Sequence, residues 1–221
     1  MKEIFILLFV GLFSYLLGSF PTAVLIGKVF FKKDVREHGS KNSGGTNAGR
    51  VLGKKVGLIV IIIDIIKTIL PIYLSYFSIK YFFINETIFL DYVIFISSIT
   101  CLIGHCFPIF AQFKGGKAVS SYAAIIFATN WLLSIIGLTI FFLVLKIKKY
   151  VSLSSICCGL ILPLITLMFA IFKLDFTMNI STCNYLYVIL ILLSGFVLVV
   201  RHGSNIKRLM KHEEGKISWM K

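Results

Sequence analysis

The stretch Gly39-Ser40-Lys41-Asn42-Ser43-Gly44-Gly45-Thr46-Asn47-Ala48-Gly49-Arg50 holds four glycines and no apolar side chain larger than alanine. Glycines such as Gly44 permit positive φ and close backbone approach, so successive N–H groups can converge on an anion. Ser40, Asn42, Thr46 and Asn47 add neutral donors, and Arg50 adds a forked cation. That is the chemistry of phosphate binding. Gly39 and Gly44 have the spacing of a nucleotide-binding P-loop, but Gly45-Thr46 stands where consecutive Gly-Lys is required, which excludes nucleoside triphosphate hydrolysis. The same composition also suits a flexible polar connector.

Three further stretches carry reactive or cationic groups. Lys114-Gly115-Gly116-Lys117 is a short cationic turn directly before an apolar run, and a helix N-terminus preceded by glycines and a lysine attracts anions. It is equally the basic flank of a membrane span. Tyr150-Val151-Ser152-Leu153-Ser154-Ser155 enters another apolar run with three hydroxyls, able to cap a helix or to donate to a ligand. Arg201, His202, Asn205 and Arg208 leave the last apolar run; on a continuous helix Arg201, Asn205 and Arg208 would share one stripe, and snorkelling is the structural alternative. Asp64 and Lys67 lie i, i+3 inside an apolar run. An unpaired charge there costs roughly 2.5–3.5 kcal/mol, so the two are expected to pair and to face protein. His105 is read as a packing residue, and His38 and His212 receive no role.

The elements that position these groups follow from composition. Of 221 residues, 58% are hydrophobic and 14% charged, which excludes a soluble globule and leaves one polytopic membrane domain over residues 1–221. Helical spans are expected at 4–26, 56–79, 88–106, 118–129, 131–146, 153–172 and 184–200. The segments 28–55, 114–117, 146–149 and 201–221 hold 19 of the 23 Lys/Arg. Cytoplasmic loops retain such residues, so the charge predicts seven transmembrane helices with the N-terminus outside and the C-terminus cytoplasmic. It also predicts a break near Thr129-Asn130-Trp131, because one long helix would place Lys146, Lys148 and Lys149 on the wrong side. The formal charge of +14 is therefore topological, with no nucleic acid as partner. Cys101, Cys106, Cys157, Cys158 and Cys183 lack zinc spacing and read as packing residues; no metal or cofactor is expected. The opening apolar run has no small-x-small cleavage site and reads as a retained helix. No repeat of 20–50 residues is visible. Charge alone sends all four polar stretches to one face, where a shared anion pocket is expected.

These motifs resemble the bacterial membrane glycerol-3-phosphate acyltransferases that use acyl-phosphate, the PlsY family. The resemblance runs through Leu17-Gly18-Ser19-Phe20-Pro21, Val35-Arg36-Glu37-His38-Gly39-Ser40 with Asn42, Gly44, Thr46, Asn47 and Arg50, then Asp64 and Lys67, Gly104-His105, Phe113-Lys114-Gly115-Gly116-Lys117, Tyr150 to Ser155, and Arg201-His202 with Asn205, Arg208 and Glu214. It implies an all-α, seven-helix integral membrane protein of the cell inner (plasma) membrane with a cytoplasmic-side active site. It further implies acyl transfer to the 1-hydroxyl of sn-glycerol 3-phosphate, giving lysophosphatidic acid and inorganic phosphate as the first acylation of phospholipid synthesis. The substrates and the lipid bilayer are then the partners. By motif match, Arg50, Lys117, Ser155, His202 and Asn205 are the candidate catalytic residues. Ser40, Asn42, Gly44, Thr46, Asn47, Gly115, Gly116, Arg208 and Glu214 are the candidate substrate-binding residues, with Gly115 and Gly116 as backbone donors. Lys41, Thr68 and His212 stand where the family usually has glycine.

Acyl-phosphate is already an activated mixed anhydride, so direct attack by the glycerol hydroxyl needs no covalent enzyme intermediate. Arg50, Lys117, Ser155 and Asn205 would position two phosphates, and His202 would orient the glycerol phosphate. No histidine has an aspartate five residues on, which argues against the His-x4-Asp machinery of acyl-CoA-dependent acyltransferases. The alternatives are a transporter of a phosphorylated small molecule, disfavoured by the few cations on the opposite face, and a basic membrane scaffold, which leaves the loop glycines unexplained.

Overall fold

The structure, a computed structural model, describes residues 1–82, 87–174 and 184–217; Cys183 lies outside them. Its regular elements are helices: α1 (Lys2–Gly18), α2 (Thr22–Phe31), α3 (Gly45–Leu52), α4 (Lys54–Phe82), α5 (Thr87–Cys106), α6 (Val119–Thr129), α7 (Trp131–Lys148), α8 (Val151–Ile171), α9 (Tyr185–Arg201) and α10 (Gly203–Met210), with 3₁₀ turns at Val35–Glu37 and Ile109–Ala111. They form two compact units, Met1–Ile125 and a second beginning at Ile126.

In the first unit the expected single helix over 4–26 is broken. Pro21 has no N–H to donate and disfavours helical backbone at Phe20, so α1 ends and α2 begins anew. The break exposes polar groups inside an apolar run of 30 residues. Lys67 Nζ donates to the Phe20 carbonyl at 2.8 Å, and the Thr22 hydroxyl donates to Asp64 Oδ1 at 2.9 Å. Asp64 and Lys67 pair at 2.8 Å with side-chain exposures of 2% and 10%, facing protein as their spacing predicts. Thr68, one of the three departures from glycine, is also buried and donates to the Asp64 carbonyl at 2.9 Å. Helix α1 lies against α5 so closely that a Cβ on Gly18 would collide with the Cys101 backbone.

The Gly-rich stretch is not wholly a loop. Its second half forms α3, because Ala48, Val51 and Leu52 fall on one face and pack with Val24, Val35 and Val60.

In the second unit α8 packs against both α7 and α9. The expected break before α7 is present. Asn130 adopts extended backbone and its Oδ1 accepts the Leu133 N–H at 2.7 Å, capping the new helix. Thr129 and Tyr187 hydroxyls, 2.8 Å apart, tie the end of α6 to α9.

Apart from the break between Gly18 and Thr22, the apolar segments expected to be helical are helical to within a residue or two of their expected ends, with α2 and α4 running further, to Phe31 and Phe82. Among the described residues, five spans are long and apolar enough to cross a membrane, the first being the broken run Lys2–Phe31, and the pair α9–α10, bent by 56°, supplies a sixth. Helix α6, with 11 residues, is about 17 Å long against the roughly 30 Å hydrocarbon core. The molecule is an all-helical integral membrane protein.

Candidate active site

In the first unit Asn47 organises the Gly-rich stretch. It is 1% exposed; its Oδ1 accepts the Ser40 N–H at 2.7 Å, and its Nδ2 donates to the carbonyls of Val35 (2.7 Å), His38 (3.1 Å) and Asn42 (2.8 Å). Asn42 Oδ1 accepts the Gly44 N–H at 2.9 Å in an Asx turn, and the Lys41 N–H donates to the His38 carbonyl at 3.0 Å. The backbone donors of Ser40, Lys41, Gly44 and Asn47 are therefore bonded within the stretch. Four of the amides expected to be available to an anion are thus engaged by the chain itself, which stiffens the loop. Thr46 and Arg50 are exposed on α3, and Ser40 is half-buried. Lys41 has φ +55° and His212 φ +57°, so two of the three residues that replace glycine occupy left-handed backbone.

The turn Lys114–Lys117 wraps the end of α5. The Gly116 N–H donates to the His105 carbonyl at 3.0 Å. It is thus not the ligand donor expected of it. The glycine is required sterically, since a Cβ would enter the His105 ring; at Gly115 a Cβ would meet the His105 carbonyl and Pro108. His105 Nδ1 lies 3.9 Å from Asp64 Oδ1. Lys117 is half-buried immediately before α6, preceded by two buried glycines and followed by Ala118 at φ +65°.

Sequence reasoning passed over Arg36. Its guanidinium grips Asp34 twice, Nε to Oδ1 at 3.0 Å and Nη2 to Oδ2 at 2.7 Å, while Nη1 donates to the Ala111 carbonyl at 3.0 Å. Arg36's bonds hold the Asp34 carboxyl far below the ordinary range, and Asp34 raises the Arg36 guanidinium. The Asp-x-Arg spacing is the signal that could have found it, since a two-residue separation lets one carboxylate cap the 3₁₀ turn and hold the guanidinium.

In the second unit the polar residues gather around Glu214. Its Oε1 accepts from Ser152 Oγ at 2.9 Å and Asn205 Nδ2 at 2.7 Å, and its Oε2 accepts from Arg208 Nε at 2.7 Å. Burial pushes this carboxyl up, but the bonds from Arg208, Asn205 and Ser152 outweigh it and hold it below its ordinary value. Both oxygens are thus engaged by protein donors. The continuous helix assumed for Arg201, Asn205 and Arg208 is broken at His202, where α9 ends and α10 departs at 56°. His202 is 3% exposed with Nδ1 at 2.8 Å from the Leu198 carbonyl. A carbonyl only accepts, so Nδ1 carries hydrogen, which leaves Nε2 as acceptor in the neutral ring. Ser155 is buried and donates to the Val151 carbonyl at 2.9 Å, as Ser154 does to Tyr150 at 3.0 Å. Neither caps α8. Among the described residues no cluster of three or more His, Cys, Asp or Glu could hold a metal.

The family described as glycerol-3-phosphate acyltransferase matches residues 8–212. A glycerol-3-phosphate acyltransferase of Staphylococcus aureus (strain Newman) is 38% identical over 216 residues, covering 95% of this chain and 96% of its own. Two crystal structures of PlsY (YgiH), an integral membrane glycerol 3-phosphate acyltransferase, are similar throughout. The glycerol 3-phosphate form has a TM-score of 0.77 and 29% identity, covering 96% of both chains. The lysophosphatidic acid form has a TM-score of 0.76 and 28% identity, covering 96% of this chain and 95% of the other.

Proposed function

The chain belongs to the glycerol-3-phosphate acyltransferase family, and we propose that it transfers a fatty acyl group from acyl-phosphate to the 1-hydroxyl of sn-glycerol 3-phosphate. The products are lysophosphatidic acid and inorganic phosphate. The observation that carries this reading is similarity over almost the whole length to PlsY in both its glycerol 3-phosphate and lysophosphatidic acid forms. The absence of a His-x4-Asp pair supports phosphate, not coenzyme A, as the leaving group.

The glycerol oxygen attacks the acyl carbon, the bond from that carbon to the phosphate oxygen breaks, and phosphate leaves with the electron pair. The hydroxyl proton passes to a phosphate oxygen, so the reaction requires no protein base. The difficulty is electrostatic, because two anionic substrates must approach and charge grows on the departing phosphate. Arg50 and Lys117 are assigned to neutralise these phosphates, with Ser40 and Thr46 as neutral donors. His202 Nε2 and Asn205 Oδ1 are assigned to orient the glycerol hydroxyls. Ser155 is assigned to donate to phosphate after turning its hydroxyl from the Val151 carbonyl. Glu214 acts through Asn205 and Arg208, since a carboxylate bonded on both oxygens steadies its donors more readily than it receives an anion. Asn42 and Asn47 shape the first loop; Gly44, Gly115 and Gly116 admit close backbone approach.

The whole chain acts as one acyltransferase with the N-terminus outside, the C-terminus in the cytoplasm and the reaction on the cytoplasmic side of the plasma membrane. The distribution of 19 of 23 Lys/Arg over four segments supports this topology. Seven crossings then include the short helix α6.

The deciding experiment supplies the purified protein with glycerol 3-phosphate and either acyl-phosphate or acyl-CoA, following lysolipid formation. Turnover with acyl-phosphate is expected; turnover confined to acyl-CoA would reject the donor.

A further inference from the structure

The segment Ala111–Ala118 places three non-glycine residues, Gln112, Phe113 and Ala118, at φ of +56°, +58° and +65°. Side chains rarely tolerate this backbone, and it persists only where the surroundings impose it. The segment's own bonds are short-range: the N–H groups of Ala111 and Phe113 both donate to the Pro108 carbonyl, and that of Lys114 donates to Ala111. The Gly116 N–H donates to the His105 carbonyl at the end of α5, and a longer-range hold comes from the first loop, some 71 to 75 residues earlier in the chain. Arg36 Nη1 donates to the Ala111 carbonyl at 3.0 Å, Asn42 Nδ2 to the Gly115 carbonyl at 3.3 Å, and Ser43 Oγ to the Lys114 carbonyl at 3.5 Å.

We infer that Arg36 is a positioning residue for glycerol 3-phosphate binding: locked by Asp34, it holds the Ala111–Lys117 turn in the conformation that presents Lys117, without itself touching substrate. The geometry supports this division of labour. Arg36 is a cation whose fork is already occupied by a carboxylate and a carbonyl, with its side chain 18% exposed. Its contact converts two Gly-rich stretches into one mechanical piece. Carbonyl oxygens that would repel a phosphate are drawn toward the first loop. A lysine at this position could not keep both the two-point grip on Asp34 and the bond to Ala111.

The inference rests on the proposed acyltransferase reading for its kinetic consequence but not for its structural one, and the test uses both. In the full-length protein in detergent, Arg36→Lys and Arg36→Gln are compared with wild type and with Lys33→Gln, an exposed cation nearby, as the control that leaves basal activity unchanged. Hydrogen exchange is read on peptides covering residues 111–117. It is expected to quicken by at least about tenfold in both Arg36 variants, as the competent form falls from most of the population to about a tenth of it, and not in the control. A fall in that population weakens apparent binding while saturating substrate restores the competent form. The KM for glycerol 3-phosphate should therefore rise about tenfold with kcat changed less than about twofold. Asn42→Ala, which removes the Gly115 contact together with the Asx turn to Gly44 and leaves Arg36 in place, should move both readouts the same way and guards against misfolding of the Arg36 variants. Unchanged exchange over 111–117 would overturn the inference, as would a fall in kcat with KM unmoved, the signature of a smaller folded fraction. Absence of acyl transfer in wild type, with exchange still responding to Arg36, would reject the acyltransferase reading and leave the mechanical coupling standing.

Discussion

Arg50 is exposed on α3 and Lys117 stands half-buried just before α6, and the proposed reaction assigns both to the substrate phosphates, whereas Lys28 and Arg36 pair with Asp34, and Lys67 with Asp64. Removing the Lys117 cation should accordingly abolish chemistry and spare the fold. Lys117→Ala is expected to lower activity at least about a hundredfold, the cost of deleting one donor at developing charge, with the variant still inserted and folded. Ser154 and Ser155 make equivalent backbone bonds, so their alanine variants isolate substrate contact from structure: Ser155→Ala should lose activity and Ser154→Ala should keep it. Lys41 and His212 present the opposite case. Each sits at left-handed φ, where a side chain costs about 1–2 kcal/mol. An unfolded glycine's freedom takes back about 0.4–1 kcal/mol, so glycine at either position should give a net stabilisation of about 0.5–1 kcal/mol. Thermal unfolding of Lys41→Gly and His212→Gly would measure it.

Among the elements, the α1–α2 elbow shows how a membrane helix is interrupted. Pro21 opens it, and the Asp64–Lys67 pair on α4 satisfies the Phe20 carbonyl and Thr22 hydroxyl that the opening exposes. Lys67→Met leaves Asp64 uncompensated and should destabilise the protein by about 3–5 kcal/mol, while adding Asp64→Asn should recover part of that loss. A double-mutant cycle by thermal unfolding would read the difference. The strap formed by Glu214 behaves differently, because it joins α10 to the start of α8 through one titratable group. Its carboxyl is held below its ordinary value. The stabilisation is therefore complete above the unfolded glutamate value of about 4.3 and is lost as pH falls through the lower folded value. The Glu214-dependent share of stability, wild type minus Glu214→Gln, should be flat at neutral pH and shrink only in acid.

For the molecule as a whole, orientation is the property most open to test. Impermeant thiol labelling of single cysteines introduced near Arg50, Lys148 and Lys207 in a cysteine-free background should require access from the cytoplasmic side at all three. Labelling of one of them from outside would break the proposed topology. Composition determined the membrane setting, and the run of apolar segments with one break at Asn130 determined the helices, because hydrophobic length and charge asymmetry are summed over many residues and tolerate local error. The residue types of the site were legible for the same reason that glycine, lysine and histidine are conspicuous in an apolar chain. Their duties were not. Only the tertiary structure decided that Asn47 faces inward, that Gly116 bonds His105 instead of a ligand, that α9 bends at His202, and that Arg36 reaches Ala111. Each depends on which donor meets which acceptor across distant segments, and hydrogen bonds are fixed by tenths of an ångström that no spacing along a chain encodes.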